Sequence, residues 1–212
     1  MCCLVLESTR GVALNRPRLI FSLFAGLFLL GGILFGHGIY IYAKADVAQL
    51  LLINAWRKTK LTHQAVKPWP WADTWPVARM WVPSRQVDLI VLAGDTGRTL
   101  AFGPGYHLGS ALPGANGNSI ISAHRDTHFH FLNAIHNGDE IFVENNLGQQ
   151  KRFIVKQTEI IDSRTTRLSI DNDRSALTLV TCYPFDAIIP GGPLRYIVYA
   201  SEVTPVIQPV SI

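Results

Sequence analysis

Twenty-four consecutive residues, Leu19 to Tyr42, carry no charge unless His37 is protonated. As a helix this run exceeds the roughly 20 residues needed to cross a bilayer core. A cleaved leader has a shorter apolar run and ends in small residues. Ala43-Lys44-Ala45 is a poor cleavage site, so the run reads as an uncleaved anchor. Arg16 and Arg18 flank one end closely and Lys44 the other. By the positive-inside rule the N-terminus then lies in the cytoplasm and the main domain outside. Cys2 and Cys3, in the short basic stretch before the anchor, have no lipobox context and read as cytoplasmic thiols.

This anchor sets the expected organisation: a cytoplasmic N-terminus (1–18), a transmembrane anchor (19–42), a juxtamembrane helix and linker (43–67) and one catalytic-sized domain (68–212). The last is large enough to bury its own core. The net charge of +4 is uneven, because from Pro68 onward 11 basic residues face 13 acidic ones. Nucleic acid is therefore not an expected partner, since that would need basic residues clustered on the folded domain.

Ala43 to Leu61 reads as a helix with Val47, Leu50, Leu51, Leu52, Ala55 and Trp56 on an apolar face that packs on the domain. Lys67 to Pro83 holds four tryptophans broken by prolines, which predicts an irregular strap burying its aromatics rather than a helix or a central strand. Short strands are expected at Val87–Leu92, Thr99–Phe102, Asn118–His124, Ala176–Cys182 and Arg195–Val203, with a turn-rich loop through Gly103–Asn118. Glu140–Glu144 and Lys151–Ile161 read as a hairpin, His128–His136 as one or two helical turns, and Arg164–Asn172 as irregular. Short strands with Gly/Pro turns and little helix define a mainly β domain, a closed barrel or a sandwich.

The chemistry gathers at three strand termini. Cys182 closes an apolar run, and Arg195, thirteen residues later, opens the next. His124 closes a β-branched run of its own. A thiol activated by a neighbouring imidazole, with a guanidinium to hold developing negative charge, is an acyl-transfer site. Thr181, adjacent to the thiol, is a candidate for binding the oxyanion through its hydroxyl or backbone. His124, His128, His130 and His136 fall close together, but a mononuclear metal site needs three or four converging ligands, and no metal or cofactor is expected.

His124 followed by Arg-Asp-Thr-His-Phe, the complete T-L-x-T-C at Thr178 to Cys182, and Arg195 shortly after resemble the sortases, membrane-anchored cysteine transpeptidases. The W-P-W-A-D-T-W-P-V-A segment from Trp69 to Ala78 is similar to that of sortases from Gram-negative, largely marine proteobacteria. The resemblance implies a barrel of about eight strands, with His124, Cys182 and Arg195 as its catalytic set and Thr181 beside them. It implies a protein substrate with an L-P-x-T-G-type sorting signal cleaved between Thr and Gly, an amine acceptor that the sequence leaves open, and a periplasmic domain held at the inner membrane. Two other readings stand beside it. L,D-transpeptidases usually carry Ser-x-Gly before the cysteine and Arg after it, where this chain has Thr181 and Tyr183. Papain-like enzymes place the cysteine before the histidine, the reverse of the order here. A non-catalytic membrane-anchored binding module with an inert thiol is the reading outside enzymology.

Overall fold

The computed structural model describes residues 16–168, 175–189 and 191–203. Cys2, Cys3 and the last part of the irregular segment expected from Arg164 to Asn172 lie outside the described residues. The chain divides into two compact units, up to Asp46 and from Val47 onward. The division falls inside one long helix, α1 (Arg16–Thr62). The two helical stretches expected there are one, because no proline interrupts the chain between Pro17 and Pro68. In the first unit the large apolar side chains that are described are exposed, Phe28 at 83%. Length and composition make α1 sufficient to cross a membrane.

In the second unit α1 presents Ala48, Leu52, Ala55, Trp56 and Thr59 as a buried stripe. Their spacing of three and four residues marks one helical face. The sequence points elsewhere for part of that face, since Val47 and Leu50 are exposed. Leu52, Ala55 and Trp56 are buried as expected, and the stripe is completed by Ala48 and Thr59, where a reading weighted to large apolar side chains does not look. The helix is fixed at its sides by Gln49 Nε2 donating to the Phe102 carbonyl at 2.7 Å and by Lys60 with Glu144 at 3.2 Å.

Eight strands follow: β1 (Pro76–Val82), β2 (Val87–Ala93), β3 (Gly105–Tyr106), β4 (Asn118–Ser122), β5 (Glu140–Asn145), β6 (Gln150–Asp162), β7 (Ala176–Cys182) and β8 (Leu194–Glu202). They close in the order β1-β2-β3-β4-β7-β8-β6-β5, with β5 paired back on β1. The β2/β3 and β4/β7 pairs are parallel and the others antiparallel. Alternate residues point inward, so Ala78, Met80 and Val82 of β1 join Ile121, Leu177, Leu179, Phe153 and Val198 in the core. Phe129 and Leu132, from the turn after β4, are fully buried in the same core.

Three local expectations need correction. The tryptophan-rich segment is not all strap, because its second half is β1, paired on both sides. Pro76 occupies the first position of that strand, where proline is tolerated, and the residues after it alternate in burial. Trp81 stacks on Phe142 of β5, its direct register partner, at 5.3 Å. The first half is irregular as expected, but it does not bury all its aromatics: Trp69 packs edge-on to Phe102 while Trp71 is 83% exposed. Thr99–Phe102 is not a strand. Thr96 caps the one-turn helix α2 (Gly97–Leu100) by accepting from Thr99 N, and a satisfied cap outweighs a short apolar run. The Gly-rich loop hides β3, whose Gly105 passes so close to the Gly94 carbonyl that a Cβ would collide with it.

The turn before β5 rests on Asp139. It accepts from Arg85 Nη2 at 2.8 Å, from the His136 amide at 2.9 Å and from Ser84 Oγ at 3.1 Å. Burial alone pushes this carboxyl up, but those donors outweigh it and hold Asp139 below the ordinary carboxylate range. A depressed native pKa adds stability above the unfolded value of about 4, and that stability is lost as pH falls through the native value. Asp139→Asn should therefore lower the melting temperature of the full chain in detergent micelles at about pH 7. The deficit should shrink toward zero as pH drops below about 4, whereas an equal deficit across the range would contradict the assignment.

Candidate active site

β4 and β7 are parallel neighbours, so both end at the same rim of the barrel. β8 runs antiparallel to β7 and begins at that rim. Cys182 is the register partner of Arg195. The last β4/β7 pair is Ser122 with Val180. The alignment continues past it, because the Ala123 amide donates to the Val180 carbonyl at 3.2 Å and Thr181 Oγ1 donates to the Ala123 carbonyl at 2.8 Å. His124 thus follows β4 at the level where Cys182 ends β7.

Strand alternation decides which way these residues face. Leu177 and Leu179 belong to the core and Thr181 shares their parity; Cys182 shares that of Val180, on the outer face. In the chain leaving β4, Ile121 and Ala123 point inward and His124 takes the opposite parity. In β8, Val198 and Ala200 point inward and Arg195 outward. The three expected residues therefore share one outer face at one rim. His124 is exposed, and Cys182 and Arg195 are half-buried.

Arg195 Nη1 donates to the Gly192 carbonyl at 2.6 Å and to the Leu194 carbonyl at 2.9 Å. Its other strand neighbour is Ile161 of β6. Beside it Asp162 is held at a pKa of about 2, first by its bonds to Arg164, with the charge of Arg195 adding to the effect. Aromatic rings wall the same rim: Tyr183 and Phe185 follow the cysteine, and Tyr196 follows the arginine. Phe185 packs edge-on to Tyr196 at 5.2 Å, and Tyr183 stacks on Tyr196 at 6.3 Å.

Thr181 stands apart from the other three. It is 2% exposed and its hydroxyl is committed to Ala123, so only its backbone is left for the contact expected from it. The four histidines do not gather at one point. His136 Nδ1 lies 2.8 Å from Arg85 Nη2. His128 is driven below its ordinary pKa by burial, and secondarily by the charge of His124 beside it. Among the described residues no three His, Cys, Asp or Glu side chains converge as metal ligands.

One residue the sequence reading passed over is Arg125. It is 6% exposed and reaches across to the segment after Cys182, donating to the Pro184 and Ala187 carbonyls at 2.7 and 2.6 Å. A charged residue directly after a strand-ending histidine was the available signal, and only the folded topology shows what it reaches.

A closed barrel of eight strands in this order, with thiol, imidazole and guanidinium on one outer rim, defines a sortase-type domain. The sortase domain model matches residues 80–203, more than half of the chain, and the chain belongs to the sortase family. It is 32% identical over 124 residues to sortase D of Bacillus subtilis, a match covering 58% of this chain and 62% of that protein's length. Among solved structures, sortase A from Corynebacterium diphtheriae superposes with a TM-score of 0.56 at 25% identity, covering 66% of each chain. A Clostridium perfringens sortase described as a transpeptidase superposes at 0.61 with 22% identity, covering 75% of this chain and 99% of that one, a likeness of fold.

Thr181→Val tests the alignment of the two central strands. The change is nearly isosteric but leaves the buried Ala123 carbonyl without its donor. Stability to urea should fall by about 1–2 kcal/mol with the denaturant slope unchanged. A variant as stable as the parent would mean that the hydroxyl does not hold β4 to β7.

Proposed function

We propose that this chain is a membrane-anchored cysteine transpeptidase that cleaves an L-P-x-T-G-type sorting signal between Thr and Gly. The observation that carries the reading is the register pairing of Cys182 with Arg195, with His124 alongside on the same outer face. The Cys182 thiolate attacks the threonine carbonyl carbon, and the carbonyl oxygen takes the charge. Arg195 Nη1 is anchored on the Gly192 and Leu194 carbonyls. The remaining N–H groups of its fork are the donors we assign to the substrate oxygen or backbone. The Thr–Gly bond breaks, and the leaving glycine amine departs with a proton from His124. This leaves a thioester on Cys182. An amine acceptor then attacks the thioester and gives its proton to His124. The new amide forms as the carbon–sulfur bond breaks, and the Cys182 thiolate and protonated His124 are regenerated. Thr181 contributes through the strand alignment its hydroxyl maintains and through its backbone. No metal or cofactor enters the scheme.

The domain boundaries proposed are those the sequence suggests, with residues 19–42 as a single-pass anchor and the barrel on the periplasmic side of the inner membrane. The length and apolarity of α1 and the basic residues before the anchor support this placement. A substrate held in the same membrane by a hydrophobic tail meets the enzyme at raised effective concentration. The Trp69–Ala78 segment supports membership of the marine proteobacterial group.

The test incubates the full chain in detergent micelles with an L-P-x-T-G peptide and an amine acceptor, alongside Cys182→Ala, His124→Ala and Arg195→Ala. Mass spectrometry should find an acyl adduct on Cys182, a broken Thr–Gly bond and an amine-dependent product. Cys182→Ala should abolish all three, and the other two variants should lower turnover by roughly 100-fold or more. If the peptide survives the wild-type protein while a thiol probe labels Cys182, the sorting motif is wrong. If the folded protein also resists the probe, the domain is a binding module.

A further inference from the structure

Burying an arginine is costly unless its N–H groups find acceptors. Arg125 is 6% exposed, and its fork is filled by two main-chain carbonyls and one carboxylate: Nη1 to Pro184 at 2.7 Å, Nη2 to Ala187 at 2.6 Å, and Nε to Asp126 at 3.1 Å. The carboxylate is largely exposed, so the buried partners are the two carbonyls. Both belong to the segment that leaves β7, starting two residues after Cys182. Arg125 itself directly follows His124.

The sheet holds His124 and Cys182 together only up to a point. The last described main-chain bond from the β4 side to β7 is Ala123 N to Val180 O, and the last side-chain bond is Thr181 to Ala123. Past that level the chain after Cys182 is tied to β8, through Tyr183 N to Leu194 O at 3.0 Å, and to Arg125. The His124 carbonyl accepts from Phe129 N, which seats the histidine backbone on its own turn over a fully buried ring. One guanidinium therefore bridges the residue after the histidine and the chain after the cysteine.

We propose that Arg125 is a positioning residue for transpeptidation, fixing the spacing of His124 and Cys182 by clamping the start of the β7–β8 segment to the end of β4. This rests on the roles given to those two residues above. Arginine suits the task because its rigid fork gives separate nitrogens to two carbonyls three residues apart in sequence; a lysine ammonium is a single point on a flexible stem. Displacing reacting groups by about 1 Å can cost roughly 100-fold in rate, so the clamp acts on turnover more than on substrate affinity.

The experiment compares the full-length wild type, Arg125→Lys and Arg125→Ala in detergent micelles. It measures melting temperature, the rate of Cys182 alkylation by iodoacetamide, and kcat and KM on an L-P-x-T-G peptide with an amine acceptor. Arg125→Lys should stay folded, lose roughly 10- to 100-fold in kcat and shift KM by less than about threefold, with slower alkylation of Cys182. Free guanidinium at millimolar concentration should restore part of the turnover of Arg125→Ala. Wild-type kcat and alkylation in folded Arg125→Lys would overturn the proposal. So would a loss matching the unfolded fraction, or failure of both variants to fold, since Arg125 would then be a tether of the domain and nothing more. If the wild type is alkylated but leaves the peptide intact, the substrate reading fails, and the alkylation rates alone still decide the role of Arg125. If the wild type resists alkylation, the site assignment fails first and the proposal with it.

Discussion

The rest of the structure depends on the parallel pairing of β4 with β7. Parallel strands cannot be joined by a tight turn, so the chain must travel to the far side of the barrel between them. It does so through β5 and β6, which then close the sheet onto β1 and β8. The detour has a chemical result. Two strands running in the same direction finish at the same rim, so residues 58 positions apart in sequence, His124 and Cys182, come level. Had the pair been antiparallel, those strand ends would lie at opposite rims of the barrel.

Once β4 and β7 are level, the remaining parts follow from short-range rules. β8 is antiparallel to β7, so the residue that opens it faces the residue that closes β7, and Arg195 meets Cys182 without any special device. The thirteen-residue interval between them then has to fold back outside the sheet. Its ends are fixed by the Tyr183 to Leu194 bond and by the rings of Tyr183, Phe185 and Tyr196, and its middle by Arg125. Local order at the rim is thus a consequence of long-range topology.

Much of this was legible in the sequence for definite reasons. Strands such as β2, β4, β7 and the β5/β6 hairpin announce themselves by short apolar or β-branched runs and by Gly or Asn at most of the breaks. The shared rim of Cys182, His124 and Arg195 was legible because the first two close apolar runs and the third opens one. What escaped was held by tertiary context. β1 reads as strap because prolines and tryptophans crowd its approach, yet neighbours on both sides make it a strand. β3 is two residues long, below any periodicity. Ala48 and Thr59 of the α1 stripe are too small or too polar to mark it, and the reach of Arg125 crosses 59 residues to Pro184. No local window along the sequence contains the second relationship.

The alternation of β7 divides labour between adjacent residues. Thr181 looks into the protein and Cys182 out of it, so one peptide unit separates a buried position bonded to the neighbouring strand from one that faces the rim. The same alternation holds for Ala123 and His124, and for Tyr196 and Arg195. Outward positions at the rim can therefore change with less disturbance to the packing than inward ones. A barrel whose chemistry lies on its outer wall keeps one scaffold under many surfaces, in a way that an active site sunk into the core does not allow.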